Sequence, residues 1–183
     1  IRGAVYRITP GGEVSVFFTV PELEVHGLAI DSKDRLVVGS SPSGRVYRVT
    51  PDGKAETFFE PQERYIWDLA VGRNDTVYIA TGEHGMLFKV DADGEGKVWF
   101  DADEPHLATL AIDVDGSVLV GSSGTAIVYR IAPDGKPQTL FHADGHEIAC
   151  HSDEHLMLTD LDPNSFRDDV RPSLDTLAKC GAE

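Results

Sequence analysis

Val46-Tyr47-Arg48-Val49-Thr50-Pro51-Asp52-Gly53 reads as a short apolar strand running into a turn. Its first three residues recur as Val5-Tyr6-Arg7, Leu87-Phe88-Lys89 and Val128-Tyr129-Arg130, each set 41 residues from the next. The closing dipeptide keeps the same interval, as Gly11-Gly12, Asp52-Gly53, Asp93-Gly94 and Asp134-Gly135. Asp-Gly between apolar runs marks a tight hairpin, because the turn needs positive φ and glycine has no Cβ to resist it. A period of roughly 40–50 residues built from short strands is that of a β-propeller blade.

Working outward, each phrase is followed by an aromatic-rich strand: Val16-Phe17-Phe18, Thr57-Phe58-Phe59, Val98-Trp99-Phe100 and Thr139-Leu140-Phe141. Two further strands precede it, such as Gly27-Leu28-Ala29-Ile30 and Leu36-Val37-Val38-Gly39. These are continuously apolar rather than alternating, as in strands covered on both faces. The spacing predicts an outer hairpin over 4–18 and four-stranded antiparallel blades over 24–60, 65–101 and 106–141. The expected fold is therefore all-β, a propeller or partial propeller of about 3.5–4 blades. A parallel β-helix competes, but its coils are shorter and lack repeated Asp-Gly hairpins.

The repeat weakens near Ala149. Residues 146–160 align, with a three-residue deletion, on the two inner strands of a blade and could close a four-bladed ring. The favoured alternative is truncation from a longer parent, because His151 and Asp153 fall where aliphatic residues stood. The chain starts on Ile1, inside a repeat, and reads as a fragment or a processed chain. The expected organisation is blades over 1–160, clean to about 148 and degraded over 149–160. A tail over 161–183 is irregular or a short helix capped by Ser173.

A formal net charge of −15 excludes a sequence-independent grip on nucleic acid and disfavours anionic membranes. No apolar run reaches the roughly 20 residues of a spanning helix. Cys150 and Cys180 are too few for a disulfide framework. There is no Gly-x-Ser-x-Gly, no Walker sequence and no Rossmann fingerprint.

The loops that lead into the inner strands ring one mouth of a propeller channel, the usual ligand face. Glu24, Tyr65, His106 and Glu147 occupy that position, with His26 and Trp67 two residues on, and His84 lies in a neighbouring loop. Scaffold positions repeat while these vary, which predicts a binding rim; the plainer reading is free drift of loop residues. His142, His146 and Cys150 would share a helical face and could hold zinc; on strands they scatter. Asp91-Ala92-Asp93-Gly94-Glu95-Gly96 partly mimics a calcium loop but coincides with the repeated hairpin, and the turn reading is preferred. The arginines of the phrase are expected to pack their stems in the blade and keep their heads in water.

His26-Gly27-Leu28-Ala29-Ile30-Asp31, Leu36-Val37-Val38-Gly39 and Gly44 to Gly53 together resemble the NHL-repeat and gluconolactonase-like propellers, and also the streptogramin-lyase-like ones. WD-repeat propellers are less similar, since Trp67-Asp68 here opens an inner strand. The resemblance covers residues 1 to about 148 and implies a bacterial-type propeller, periplasmic or secreted. Lactonase-type members hold a divalent metal through Glu, Asn and Asp. The matching positions here are His26, Trp67 and Ala108, with Gly39, Ala80 and Gly121 where the family often places Asp, so the ligand set is not met.

The expectation is a non-catalytic module that binds a small ligand or a protein or peptide at the channel mouth, with no cofactor and no nucleic-acid or membrane partner. One alternative is a metal-dependent hydrolase or lyase of the gluconolactonase-like type, with His26, His106 and Glu147 as its residues. The other is a purely structural segment that self-associates through open blades.

Overall fold

The computed structural model describes residues 2–142, and fourteen strands run through them. A lone hairpin comes first, β1 (Ala4–Ile8) and β2 (Val14–Thr19). The first blade holds β3 (Glu24–Ile30), β4 (Leu36–Ser41), β5 (Val46–Val49) and β6 (Ala55–Phe59). The second holds β7 (Tyr65–Val71), β8 (Val77–Gly82), β9 (Met86–Val90) and β10 (Gly96–Asp101). The third holds β11 (His106–Ile112), β12 (Val118–Ser123), β13 (Ile127–Ile131) and β14 (Pro137–His142). All pairings within a blade are antiparallel and sequential. The second and third blades touch through one bridge, His106 to Gly82.

The blades agree with the sequence spacing, and the turns show why. Gly12, Gly53, Gly94 and Gly135 all have φ between 82° and 93°, the left-handed region a side chain resists. A 3₁₀ turn over Arg73–Asp75 is the one helical element among the described residues. No described helix is long and apolar enough to cross a membrane.

The apolar core lies in the seams between neighbouring blades. Val5, Val20, Val38, Tyr47 and Val49 fill the seam between the hairpin and the first blade. Val37, Val46, Ile66, Leu69, Ile79 and Phe88 fill the next. Tyr78, Leu87, Leu107, Val118, Val120 and Ile131 fill the third. Val37 and Val38 face opposite seams, which is why these strands carry no polar face. Each fully buried aliphatic side chain contributes about 1.5–3 kcal/mol, so the seams hold the blades together.

Among the described residues nothing covers one apolar face of the first blade. Leu28 is 50% exposed and Ile30 65%, whereas Leu69, one repeat later, is 3% exposed.

Two bulges recur in every blade. In the inner strand the pairing skips His26, Trp67 and Ala108. In the outer strand it skips Phe17, Phe58, Trp99 and Leu140. A bulge leaves one residue unpaired and re-aims its side chain. Three of these four outer bulges receive the cation of the repeated phrase. The guanidiniums of Arg7 and Arg48 lie 4.0 and 3.7 Å from the ring centres of Phe17 and Phe58, and Lys89 Nζ lies 4.8 Å from that of Trp99.

Arg48 departs from the expected exposed head. It is 4% exposed, and its Nη1 donates to the Ala92 carbonyl of the following blade at 2.9 Å. The second blade closes over it, and burial pushes its pKa down, with the Arg35 charge adding to the effect. Its Nε sits 3.7 Å from Asp31 Oδ2, and Nε and Nη2 have no hydrogen-bond partner. The Asp91–Gly96 stretch is the hairpin turn, closed by Asp91 N–H to the Glu95 carbonyl and Gly94 N–H to the Asp91 carbonyl.

Glu147, His146 and Cys150, the degraded strands over 146–160, the boundary at 160 and the tail helix lie outside the described residues. His142 is described only as the last position of β14.

Candidate functional site

The strand directions give each blade two ends. At one lie the Asp-Gly turns; at the other the inner strands begin, and the loops 20–23, 42–45, 60–64, 83–85 and 102–105 gather there. Glu24, Tyr65 and His106 are the first residues of β3, β7 and β11. The inner bulge then turns His26 and Trp67 out of the ladder, so residues two apart meet.

The result is a row of side chains drawn from three blades, centred on Trp67. Tyr65 stacks on it with ring centres 5.2 Å apart and 12° between planes. His26 meets it edge-on at 5.0 Å from one side, and His106 at 5.8 Å from the other. The Tyr65–Trp67 stack is a pair of the kind worth about 0.5–1.5 kcal/mol beyond its buried area. Gly82 lies beneath: a Cβ there would overlap Trp67 Nε1 and His106 Nδ1, so the rings close over a residue that must lack a side chain.

Hydrogen bonds fix the imidazoles. The Trp67 indole N–H can only donate, and it donates to His106 Nδ1 at 3.3 Å. A neutral His106 therefore carries its proton on Nε2. His26 Nε2 lies 3.0 Å from Glu24 Oε2, and a carboxylate can only accept, so the proton between them sits on Nε2. The row thus offers a carboxylate–imidazole pair, an aromatic stack and a second imidazole with a free N–H. The pair has the form of a general base with its orienting carboxylate.

Trp67's neighbour Asp68 belongs to the scaffold. Its Oδ2 accepts the Leu110 N–H at 2.8 Å and the Thr109 hydroxyl at 3.2 Å, tying β7 to β11 below the row.

His84 is held elsewhere. Its Nδ1–H donates to Glu63 Oε1 at 2.8 Å, and its backbone N–H donates to Oε2 at 3.2 Å. The hydrogen bond to Glu63 raises the His84 pKa above its ordinary value, and the Glu63 charge adds to it. Glu63 is one of three buried glutamates the sequence reading did not single out. Glu22, Glu63 and Glu104 stand 41 residues apart and are 8%, 5% and 8% exposed. Each precedes an inner strand and turns toward loop or strand residues of its own blade. Glu22 accepts from the Tyr47 hydroxyl at 3.1 Å and pairs with Arg45 at 3.3 Å. Glu104 accepts the Thr125 N–H at 3.3 Å and the Thr125 hydroxyl. The constant interval was the signal that could have found them.

Backbone packing reinforces the same seams. Gly44 and Gly85, at φ 49° and 65°, lie against the Glu63 and Glu104 carbonyl oxygens of the next blade, which a Cβ would overlap. Ala126, at φ 52°, holds the equivalent place in the third blade.

Among the described residues no group of three or more His, Cys, Asp or Glu side chains is placed to hold a metal ion. His26, Trp67 and Ala108 supply one imidazole and no carboxylate at the family's ligand position.

No family model matches the sequence, and no curated protein matches it. Solved structures do match in fold. Virginiamycin B lyase from Staphylococcus aureus aligns at 16% identity and TM-score 0.67, over 75% of this chain and 48% of that one. A chain of a nidogen–laminin complex aligns at 15% identity and TM-score 0.68, over 78% and 60%. Regucalcin from Agrobacterium tumefaciens, a calcium-binding protein, aligns at 18% identity and TM-score 0.56, over 64% and 43%. The chain spans about half the length of the structures it matches. In fold, the described part of the chain is a segment of a β-propeller.

Proposed function

We propose that this propeller segment is a non-catalytic module that binds a small ligand or a short peptide at the end where its inner strands begin. One observation carries the reading: Glu24, His26, Tyr65, Trp67 and His106 come from three blades yet form one continuous row. A repeat that only had to hold itself together would keep those positions alike, as it keeps Glu22, Glu63 and Glu104 alike. The half-buried rings give a ligand both apolar area and defined polar atoms, the usual composition of a binding site. Self-association of open blades, through the face of Leu28 and Ile30, is a separate matter that a size measurement in solution reads directly.

The test is a panel of ring compounds and short peptides, neutral and charged, read by the indole and imidazole resonances. Shifts concentrated at His26, Trp67 and His106 support the reading. Shifts confined to the Asp-Gly end, or none from any compound, end it.

A second reading rests on the Glu24–His26 pair, whose 3.0 Å contact is what a lyase or hydrolase would use to take a proton. The lyase among the structures of like fold is in keeping with it. Its metal-dependent branch requires calcium, magnesium or zinc to raise the melting temperature by preferential binding to the folded chain. An unmoved midpoint at millimolar metal removes that branch.

A further inference from the structure

The loops at the ligand end are strongly unbalanced in charge. Their cations are Arg2, Arg45 and Arg64. Arg45 is already committed, to Glu22 at 3.3 Å and to Glu60 at 2.9 Å, and Arg2 precedes Gly3, which packs against the Glu24 backbone. Against these, Glu24, Glu83, Asp101 and Asp103 are exposed at the same end. The chain as a whole carries −15, so a cation approaching this end gains from both the local and the total field.

The aromatic row gives that field a place to act. Tyr65 and Trp67 are stacked, and the guanidinium of the exposed Arg64 lies 5.4 Å from the Tyr65 ring centre. Arg64 forms no ion pair among the described residues and lies instead against this stack. Glu24 is bonded to His26, which in turn meets Trp67 edge-on, so a carboxylate lies one side chain away from the aromatic stack. A cation between a carboxylate and an aromatic face is held by both charge and quadrupole.

We propose that the shelf formed by Glu24, His26, Tyr65 and Trp67 takes an organic ammonium group, a protonated or quaternary amine on a compact apolar body. The inference rests on the reading that this end binds a ligand and adds the class of that ligand. The ammonium would lie over the Tyr65–Trp67 stack with Glu24 as counter-charge, and Arg64 would compete with it for the aromatic surface. Anions are disfavoured by the same groups.

The probe is choline, set against its neutral tert-butyl isostere and the corresponding carboxylate. The Trp67 indole N–H reports binding, and that of Trp99 serves as internal reference. Choline should shift the Trp67 signal and bind at least about tenfold tighter than the isostere, the factor that 1.4 kcal/mol of charge-specific attraction gives. Glu24→Gln should weaken it about threefold and added salt should weaken it further. Arg64→Ala should tighten it about twofold, by removing the competitor. An Nα-acetyl-lysine amide arm separates sources: binding of choline alone assigns a free amine, and binding of both admits a lysine side chain, each upholding the ammonium class.

Equal shifts from the isostere, or shifts from the carboxylate alone, overturn the ammonium class while leaving a ligand at this end. Weaker choline binding in Arg64→Ala overturns the competition. No shift from any probe overturns both the class and the reading beneath it.

Discussion

Every blade carries two bulges, and they have been put to different uses. The outer one holds Phe17, Phe58 or Trp99, each covered by an arginine or lysine, and in the third blade Leu140, where Arg130 turns instead to Asp113 and Asp115. The inner one holds His26, Trp67 or Ala108, residues with nothing in common, and opens on the row at the ligand end. The backbone device is the same in both: one extra residue turned out of the ladder. The outer bulge keeps a large apolar or aromatic residue in all four places, whereas the inner one varies from imidazole to indole to methyl.

That contrast fails if the scaffold side is as tolerant as the mouth. The largest effect is expected at the seam: Gly85→Ala would set a Cβ on the Glu104 carbonyl at a φ of 65°. It should cost about 3 kcal/mol or more in urea unfolding. A loss below about 1 kcal/mol would show that the seams yield easily.

The bulges can then be compared directly. Phe58 is half-buried against the core of its seam and carries Arg48 on its face, so Phe58→Ala should cost about 2 kcal/mol. Trp67→Ala should cost about 1 kcal/mol, since the third blade already has Ala108 there. Equal losses from the two variants would put structural load on the mouth and undo the distinction.

The smallest effect concerns His84, which is tied to Glu63 within the second blade. Its pKa is raised in the folded chain, so its contribution is complete below the ordinary imidazole value near 6.5 and disappears as pH rises through the folded value. The thermal midpoint should therefore drop slightly as pH rises above about 6.5, and His84→Gln should flatten that slope. A slope that survives the substitution would assign the titration to another group.

The sequence made the blades legible because hairpins need glycine at positive φ and the 41-residue interval puts it there each time. It also placed Glu24, His26, Tyr65, Trp67 and His106 on one rim. It did not show that His26 and Trp67 are bulge residues, because a repeat count cannot tell which residue a ladder skips. Nor did it show that Trp67 bonds to His106, since no local pattern links residues 39 apart. Glu22, Glu63 and Glu104 were legible in principle. They were hidden by dissimilar neighbours, Pro21 and Leu23 in one place and Asp103 and Pro105 in another. Arg48 resembled an exposed arginine because its cover comes from the next blade.

The glycines at the seams bear on how the fold comes apart. Gly44 lets the first blade admit the backbone before β7, and Gly85 does the same for the backbone before β11. Arg48 adds a side-chain tie, anchored in the first blade and bonded to the second. A blade that opened alone would strip the cover from a buried guanidinium in its neighbour and leave an apolar wall in water. The stability of each blade is therefore largely a coupling term with the next, as in a one-dimensional chain with strong nearest-neighbour links. Melting of these blades should proceed as one cooperative event, with the hairpin β1–β2, the smallest sheet among the described residues, the first part to exchange its amides.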